Sequence, residues 1–202
     1  MDEPGYPQRV TLKSGRTVML RPLQSSDEAE LMRFFSELPP ECTEFLRDDV
    51  HDPEVARCFI LQRHTDCVWA ILALSDEGRV VGDATLQMVR YGWRRHVGEV
   101  RVVVAPALHN QGLGTALIHE LLNQASLLGL KKLEAQVSES QKGAQIAFGK
   151  FGFREEARLR NHALKLDNKM HDLLILTNTV DDLWSKMENL IEDLDFFREG
   201  LY

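Results

Sequence analysis

Cysteine is scarce. Cys42, Cys58 and Cys67 are odd in number and share no metal-type spacing, so neither a disulfide framework nor a zinc site is indicated, and reduced, buried thiols and no metal are expected. Long apolar runs are missing too: none approaches the length needed to span a membrane. The first ten residues carry Asp2, Glu3 and two prolines in place of the apolar stretch of a secretory signal. A cytoplasmic protein with no membrane partner is the expectation. A basic excess is lacking as well, and a formal charge of −7 argues against a general nucleic-acid binder, so no nucleic-acid partner is expected. Internal repeats and low-complexity linkers are not found. At 202 residues and 44% hydrophobic content, one core plus an appendage is the natural organisation.

What is present centres on residues 99–122. The run Glu99-Val-Arg-Val-Val-Val104 is β-branched and favours a strand, and Pro106 cannot continue its ladder. Leu113, Leu117 and Leu121, with Ala116, Ile118 and Leu122, then restart the pattern at helical spacing. Between them lies His109-Asn110-Gln111-Gly112-Leu113-Gly114. Glycines where a loop becomes a helix leave the first backbone N–H groups unpaired and unshielded, and the macrodipole adds partial positive charge, an arrangement suited to a phosphate. A Gly-x-Gly by itself fits a plain turn before a helix equally well. Two nucleotide signatures are disfavoured: a Walker loop would end in Gly-Lys-Ser/Thr where the chain has Gly114-Thr115-Ala116, and a dinucleotide fingerprint would place a third glycine at Leu117.

Upstream, Arg9 to Leu12 and Thr17 to Arg21 read as a hairpin around Gly15. Ser25 and Glu28 have the spacing of a capping box for a helix ended by Pro39-Pro40. Two further helical pieces, Glu41 to Arg47 and Pro53 to Arg63, are expected, the second capped by Asp52. Val68 to Leu74 and Arg79 to Val89 are strands about the turn Asp76-Glu77-Gly78. Gly129 and Gly152 are natural left-handed caps for the two later helices, with strands at Leu133 to Val137, Phe153 to Leu159 and His171 to Asn178. These elements predict a mixed α/β (α+β) fold, a mostly antiparallel central sheet with one crossover and helices on both faces.

The tail is a separate pattern. Leu183, Met187, Leu190, Leu194 and Phe197 recur at spacings of 4, 3, 4 and 3, flanked by Trp184 and Ile191 with acidic residues opposite, which predicts an amphipathic helix. It packs on its own domain, or it meets a second copy and makes a homodimer through the C-terminal helix.

The glycine loop resembles the acyl-CoA pyrophosphate loop of the GNAT N-acetyltransferase superfamily, whose pattern is Gln/Arg-x-x-Gly-x-Gly/Ala after the fourth strand; His109 takes the first slot here. The similarity continues downstream. The family has a strand and then an Asn-led helix ending in Tyr-x-x-x-Gly-Phe, and this chain has Leu133 to Val137 followed by Gln141 through Phe148 to Gly152-Phe153, with Gln141 for the Asn and Phe148 for the Tyr. Combined motifs at the right separation are more specific than either alone, and the resemblance spans roughly Thr17 to Thr179. It implies a GNAT-like domain over residues 1–180, with 181–202 as the appended tail helix.

The resemblance also implies acetyl-CoA as cosubstrate and a primary amine as acceptor, a small molecule or a protein lysine or N-terminus. Val102, Val103 and Val104 would offer main chain to the pantetheine arm, and Gln141 and Phe148 would also contact the cofactor, Phe148 in the tyrosine site facing the thioester sulfur. His109, Asn110, Gln111, Gly112, Leu113, Gly114 and Thr115 would hold the pyrophosphate. A protonated amine must lose a proton before it attacks a thioester, so a base is needed, and Glu99 is the candidate by position on the central strand, with His96 in reserve. Glu99 reads equally well as a strand-end carboxylate paired with Arg101 or Arg95. Phe45 to Asp49 and the region of His162, His171 and Asp172 could line the acceptor cleft or form salt-bridged surface. Because phenylalanine cannot protonate a leaving thiolate, Phe148 and Gln141 also admit a second function, a non-catalytic acyl-CoA-binding or sensing module.

Overall fold

The alternating segments about Gly15 form the expected hairpin, β1 (Gln8–Thr11) with β2 (Thr17–Pro22). The computed structural model describes residues 5–43, 46, 50, 52, 54, 67–164 and 168–183. Cys58, most of Phe45 to Asp49, the body of the Pro53 to Arg63 helix and the tail from Trp184 onward therefore lie outside the described residues. Asp52 does accept the Glu54 N–H at 2.8 Å, as a cap would. Cys42 and Cys67 are half-buried and make no disulfide.

The first helix begins differently from the expected Ser25/Glu28 box. Ser25–Asp27 is a 3-10 turn, and the Asp27 carboxylate reaches back to the Gln24 N–H at 2.8 Å. The reason is Arg21 on β2, whose guanidinium donates to both Asp27 oxygens at 2.6 and 2.7 Å and so fixes the reciprocal cap one residue earlier. Burial pushes the Asp27 pKa up, but the Arg21 fork, the Gln24 N–H and the positive charge outweigh it and hold the pKa below the ordinary carboxylate value. Helix α1 (Glu28–Glu37) then buries Leu31, Phe34 and Phe35 against Leu72, Val80 and Val103.

The remaining strands are β3 (Val68–Leu74), β4 (Val80–Met88), β5 (Val97–Val104), β6 (Lys132–Ser138), β7 (Arg154–Leu164) and β8 (Met170–Thr179). Helix α2 (Leu113–Leu127) joins β5 to β6, and α3 (Lys142–Lys150) joins β6 to β7. The sheet order is β1-β2-β3-β4-β5-β6-β8-β7. Seven ladders join these eight strands, and all are antiparallel except β5 with β6, where α2 supplies the crossover. Gly129 and Gly152 take left-handed φ values of 70° and 82° after α2 and α3, as the caps required.

Strand alternation divides β5 between two cores. Gly98 and Val100, with Val102 and Val104, face the larger core beneath α2, whose Leu113, Leu117 and Leu121 are fully buried. Val103 joins the smaller core under α1, on the same face as Glu99 and Arg101. At the end of β8, Val180 and Leu183 are buried in the larger core.

Candidate active site

Parallel pairing of β5 with β6 lasts three residues, Val97 with Lys132, Gly98 with Leu133 and Glu99 with Glu134. Gly98 seals the closed end. A Cβ there would meet Leu86 Cδ1 at 2.7 Å, Leu130 Cδ1 at 2.8 Å and Leu133 Cδ2 at 3.1 Å, so only glycine lets the strands approach. Beyond Glu99 the strands no longer pair, and the parting opens a cavity of about 530 Å³.

One wall of the cavity is β5 from Glu99 to Val103, and the opposite wall is Gln136, Val137, Gln141, Ala144 and Phe148. Leu173 and Ile175 of β8, with Leu159 and His162 of β7, extend it to one side, and Cys42 and Leu46 bound the other. Glu99 lies in this cavity with its side chain 13% exposed, and its Oε1 accepts from Arg101 Nε and Nη2 at 3.3 and 3.2 Å. The two readings of Glu99, ion pair and cavity carboxylate, therefore hold together.

Main-chain direction sorts the three valines. The Ala105 N–H donates to the Val81 carbonyl, so by alternation the groups of Val103 point toward β4 while those of Val102 and Val104 point into the gap. The Val104 carbonyl lies 2.9 Å from His109 Nε2, so His109 ties the glycine loop back to the strand.

The loop itself is built rather than slack. Gln111 donates through Nε2 to the Ala107 carbonyl at 2.8 Å, accepts Ser14 Oγ at 2.6 Å on Oε1, and its own carbonyl takes the Lys13 N–H at 3.0 Å. The Gln111 side chain thus anchors the loop to the β1–β2 turn. Gly112 stands at the N-cap of α2 with φ 94°, a conformation other residues rarely adopt. The first bond of the α2 ladder runs from the Ala116 N–H to the Gly112 carbonyl at 3.0 Å, so the N–H groups of Leu113, Gly114 and Thr115 precede it.

Gly114 is a different case. Its φ is an ordinary one, and a Cβ would meet nothing nearer than Val104 Cγ2 at 4.0 Å. Neither backbone strain nor internal packing asks for glycine here, which leaves open space over a helix N-terminus where an anion could approach main chain. Leu113 differs again: its side chain is fully buried, so it faces the loop through its backbone alone.

Phe148 is 7% exposed and packs edge-on against Phe153, ring centroids 5.1 Å apart, while also lining the cavity. Gln141 turns its Oε1 to the Ser138 N–H at 2.9 Å, closing the turn between β6 and α3. Of the three residues at the far side, His162 reaches the cavity, whereas His171 lies 3.7 Å from Glu139 and Asp172 accepts the Asn161 N–H at 3.0 Å and pairs with Arg158 at 3.4 Å. His96 is exposed in the β4–β5 connection. Arg101, Gln136, Leu173 and Ile175 carry no site assignment from sequence; the alternation of Glu99, Arg101 and Val103 holds the signal for Arg101 alone.

Among the described residues no cluster of three or more His, Cys, Asp and Glu could hold a metal ion, and no helix is long and apolar enough to cross a membrane.

Residues 30–153 match the Acetyltransferase (GNAT) family. The glucosamine 6-phosphate N-acetyltransferase of Trypanosoma brucei brucei is 30% identical over 145 residues, covering 69% of this chain and 90% of that protein. A GCN5-related N-acetyltransferase from Kribbella flavida superposes with a TM-score of 0.69 at 21% identity, over 80% of this chain and 97% of that one. The spermidine N-acetyltransferase of Vibrio cholerae, solved with CoA and spermine, gives 0.69 at 15% identity over 83% and 98%. The structural likenesses show the fold, and the family match, which covers more than half of the sequence, shows the lineage: this chain belongs to the GNAT acetyltransferase family.

Proposed function

We propose that the protein transfers the acetyl group of acetyl-CoA to a primary amine, with Glu99 as the general base. The observation that carries this reading is the parting of β5 and β6. A single cavity joins a carboxylate at its closed end to main chain at its open end, and the glycine loop lies beyond Val104. The relatives point the same way: one is named for an amino-sugar acceptor, and a structural neighbour was solved with CoA and a polyamine.

Acetyl-CoA supplies an acyl thioester that a neutral amine can attack. The backbone N–H groups of Leu113, Gly114 and Thr115 suit its pyrophosphate, and Gly114 keeps their approach clear. Val102 offers main chain along the gap, and Ala144 and Phe148 form the facing wall. Glu99 takes the amine proton so that the nitrogen lone pair can form the amide bond as the carbon–sulfur bond breaks. Arg101, on one oxygen of Glu99, fixes the carboxylate in the cavity. No phenol stands at Phe148, so the leaving thiolate takes its proton from water.

The test is acetyl-CoA-dependent release of free thiol with amine and lysine-peptide pools. Turnover by the full chain is expected, and Glu99→Gln should lower it about 10²- to 10⁴-fold with CoA affinity nearly intact. Acetyl-CoA binding without turnover on any amine would favour the sensing module. Val180 and Leu183 are buried in the same core, which supports a tail that starts against its own domain.

A further inference from the structure

The β4–β5 connection, residues 89–96, has a composition that the transfer reaction leaves unused. All eight residues are exposed; Tyr91 is 84% and Trp93 85% accessible. It holds Arg90, Arg94, Arg95 and His96 and no acid, on a chain whose net charge is −7. It is also folded, because the Arg95 N–H donates to the Gly92 carbonyl at 3.3 Å and the Val97 N–H to the Arg94 carbonyl at 2.9 Å.

Its position is informative. Arg94 Nη2 lies 3.3 Å from Glu134 Oε2, and Glu134 is the register partner of Glu99 across the last paired rung of β5 and β6. The connection therefore borders the face on which Glu99 and Arg101 stand, three residues before the candidate base. Two aromatics exposed to this extent do not form the concave site that a small ligand needs. Tyr, Trp and Arg are the residues that dominate binding energy between proteins.

We propose that residues 89–96 are the docking surface for an acidic polypeptide that carries the acceptor amine. This rests on the reading of Glu99 as the base. Tyr91 and Trp93 supply the apolar contact. Arg95, and Arg94 beside its contact to Glu134, supply the charge that draws an acidic segment to this connection, while the rest of the acidic chain repels it, so the partner is held at a segment that ends three residues before Glu99. A nucleic acid fits less well: its binding rests on neutralising many phosphates, and this segment offers three arginines on a chain of net charge −7.

The experiment measures fluorescence polarisation of a labelled random copolymer of glutamate and lysine with the full chain. The expected result is binding that weakens as salt is added, because the charges are exposed. Trp93→Ala and, separately, Arg95→Glu should each weaken it by about tenfold or more. Melting temperatures verify that both surface variants fold, and if one does not, the other decides. Glu99→Gln should bind the copolymer as the wild type does. Retained turnover in Glu99→Gln would remove the base assignment, whereas unchanged copolymer binding in the folded loop variants would remove the docking surface. The wild type failing to bind the copolymer, or binding it no better than a lysine homopolymer or duplex DNA, would also overturn the proposal.

Discussion

Two glycines at opposite ends of the β5–β6 unit separate what the fold requires from what a ligand requires. Gly98 stands where three leucine side chains crowd within 2.7–3.1 Å of the place a Cβ would take, and its lack of a side chain lets two strands meet. Gly114 stands where a Cβ would touch only Val104, at 4.0 Å, so the protein itself gains nothing from glycine. Crowding therefore assigns Gly98 to the fold, whereas at Gly114 emptiness gains its meaning from the place, the N-terminus of α2 beside β5, since Gly149 is as open without lying at such a terminus.

The largest effect that tests this contrast lies on the open side, at Phe148. Phe148→Tyr adds a hydroxyl to a ring that both lines the cavity and packs on Phe153. If that ring faces the reacting thioester, turnover should rise by up to roughly 10²-fold, the low end of general-acid effects. A variant destabilised by about 1–3 kcal/mol with turnover unchanged would show the hydroxyl buried without a partner and would assign Phe148 to the core.

On the closed side, Gly98→Ala should lower stability by about 1–3 kcal/mol through overpacking, measured by denaturant or heat. An unaltered melting temperature would mean the strands can separate there at no cost. Gly114→Glu should do the reverse. A carboxylate in the first turn of α2 favours the helix by about 0.3–1 kcal/mol, so melting should be unchanged or raised. Acetyl-CoA affinity should fall roughly tenfold or more, the loss of one charged hydrogen bond being worth about 1.5 kcal/mol. Gly114→Ala, which the resembled pattern tolerates, is the control. Unchanged CoA affinity in Gly114→Glu would place the pyrophosphate elsewhere.

The smallest effect concerns neither end. Asp27→Asn removes the acceptor that Arg21 grips at 2.6 and 2.7 Å, and should cost about 1–2 kcal/mol at neutral pH. Because the folded pKa of Asp27 lies below its unfolded value, its contribution is present above the unfolded value, about 3.9, and is lost as pH falls through the folded one. The stability difference between wild type and variant should therefore shrink in strong acid; a difference constant down to about pH 2 would count against the linkage.

Much of this is legible in the chain. The β-branched run before Pro106, the glycines at 112 and 114 and the leucine spacing after them are local patterns, and each becomes the element it implies. The start of the first helix departs from its local pattern because Arg21 lies on a neighbouring strand, and nothing within a few residues shows that its fork selects Asp27 over the Ser25/Glu28 pairing. Gln111 reads as a phosphate ligand in the motif, but its side chain is spent on Ser14 and Ala107, partners brought to it by the hairpin's position.

By itself, then, the sequence determined the strands, the two later helices with their capping glycines and the loop that precedes α2, because these depend on backbone preference and on apolar spacing within a few residues; the family came from motifs combined at the right separation. Tertiary structure alone decided that β5 and β6 part after Glu99 and that the cavity so formed is walled by Gln136, Phe148 and Ile175. It also decided that Arg94 brings an exposed aromatic segment beside Glu134, the register partner of Glu99. Those facts come from register and strand order across a sheet, where residues far apart in the chain become neighbours.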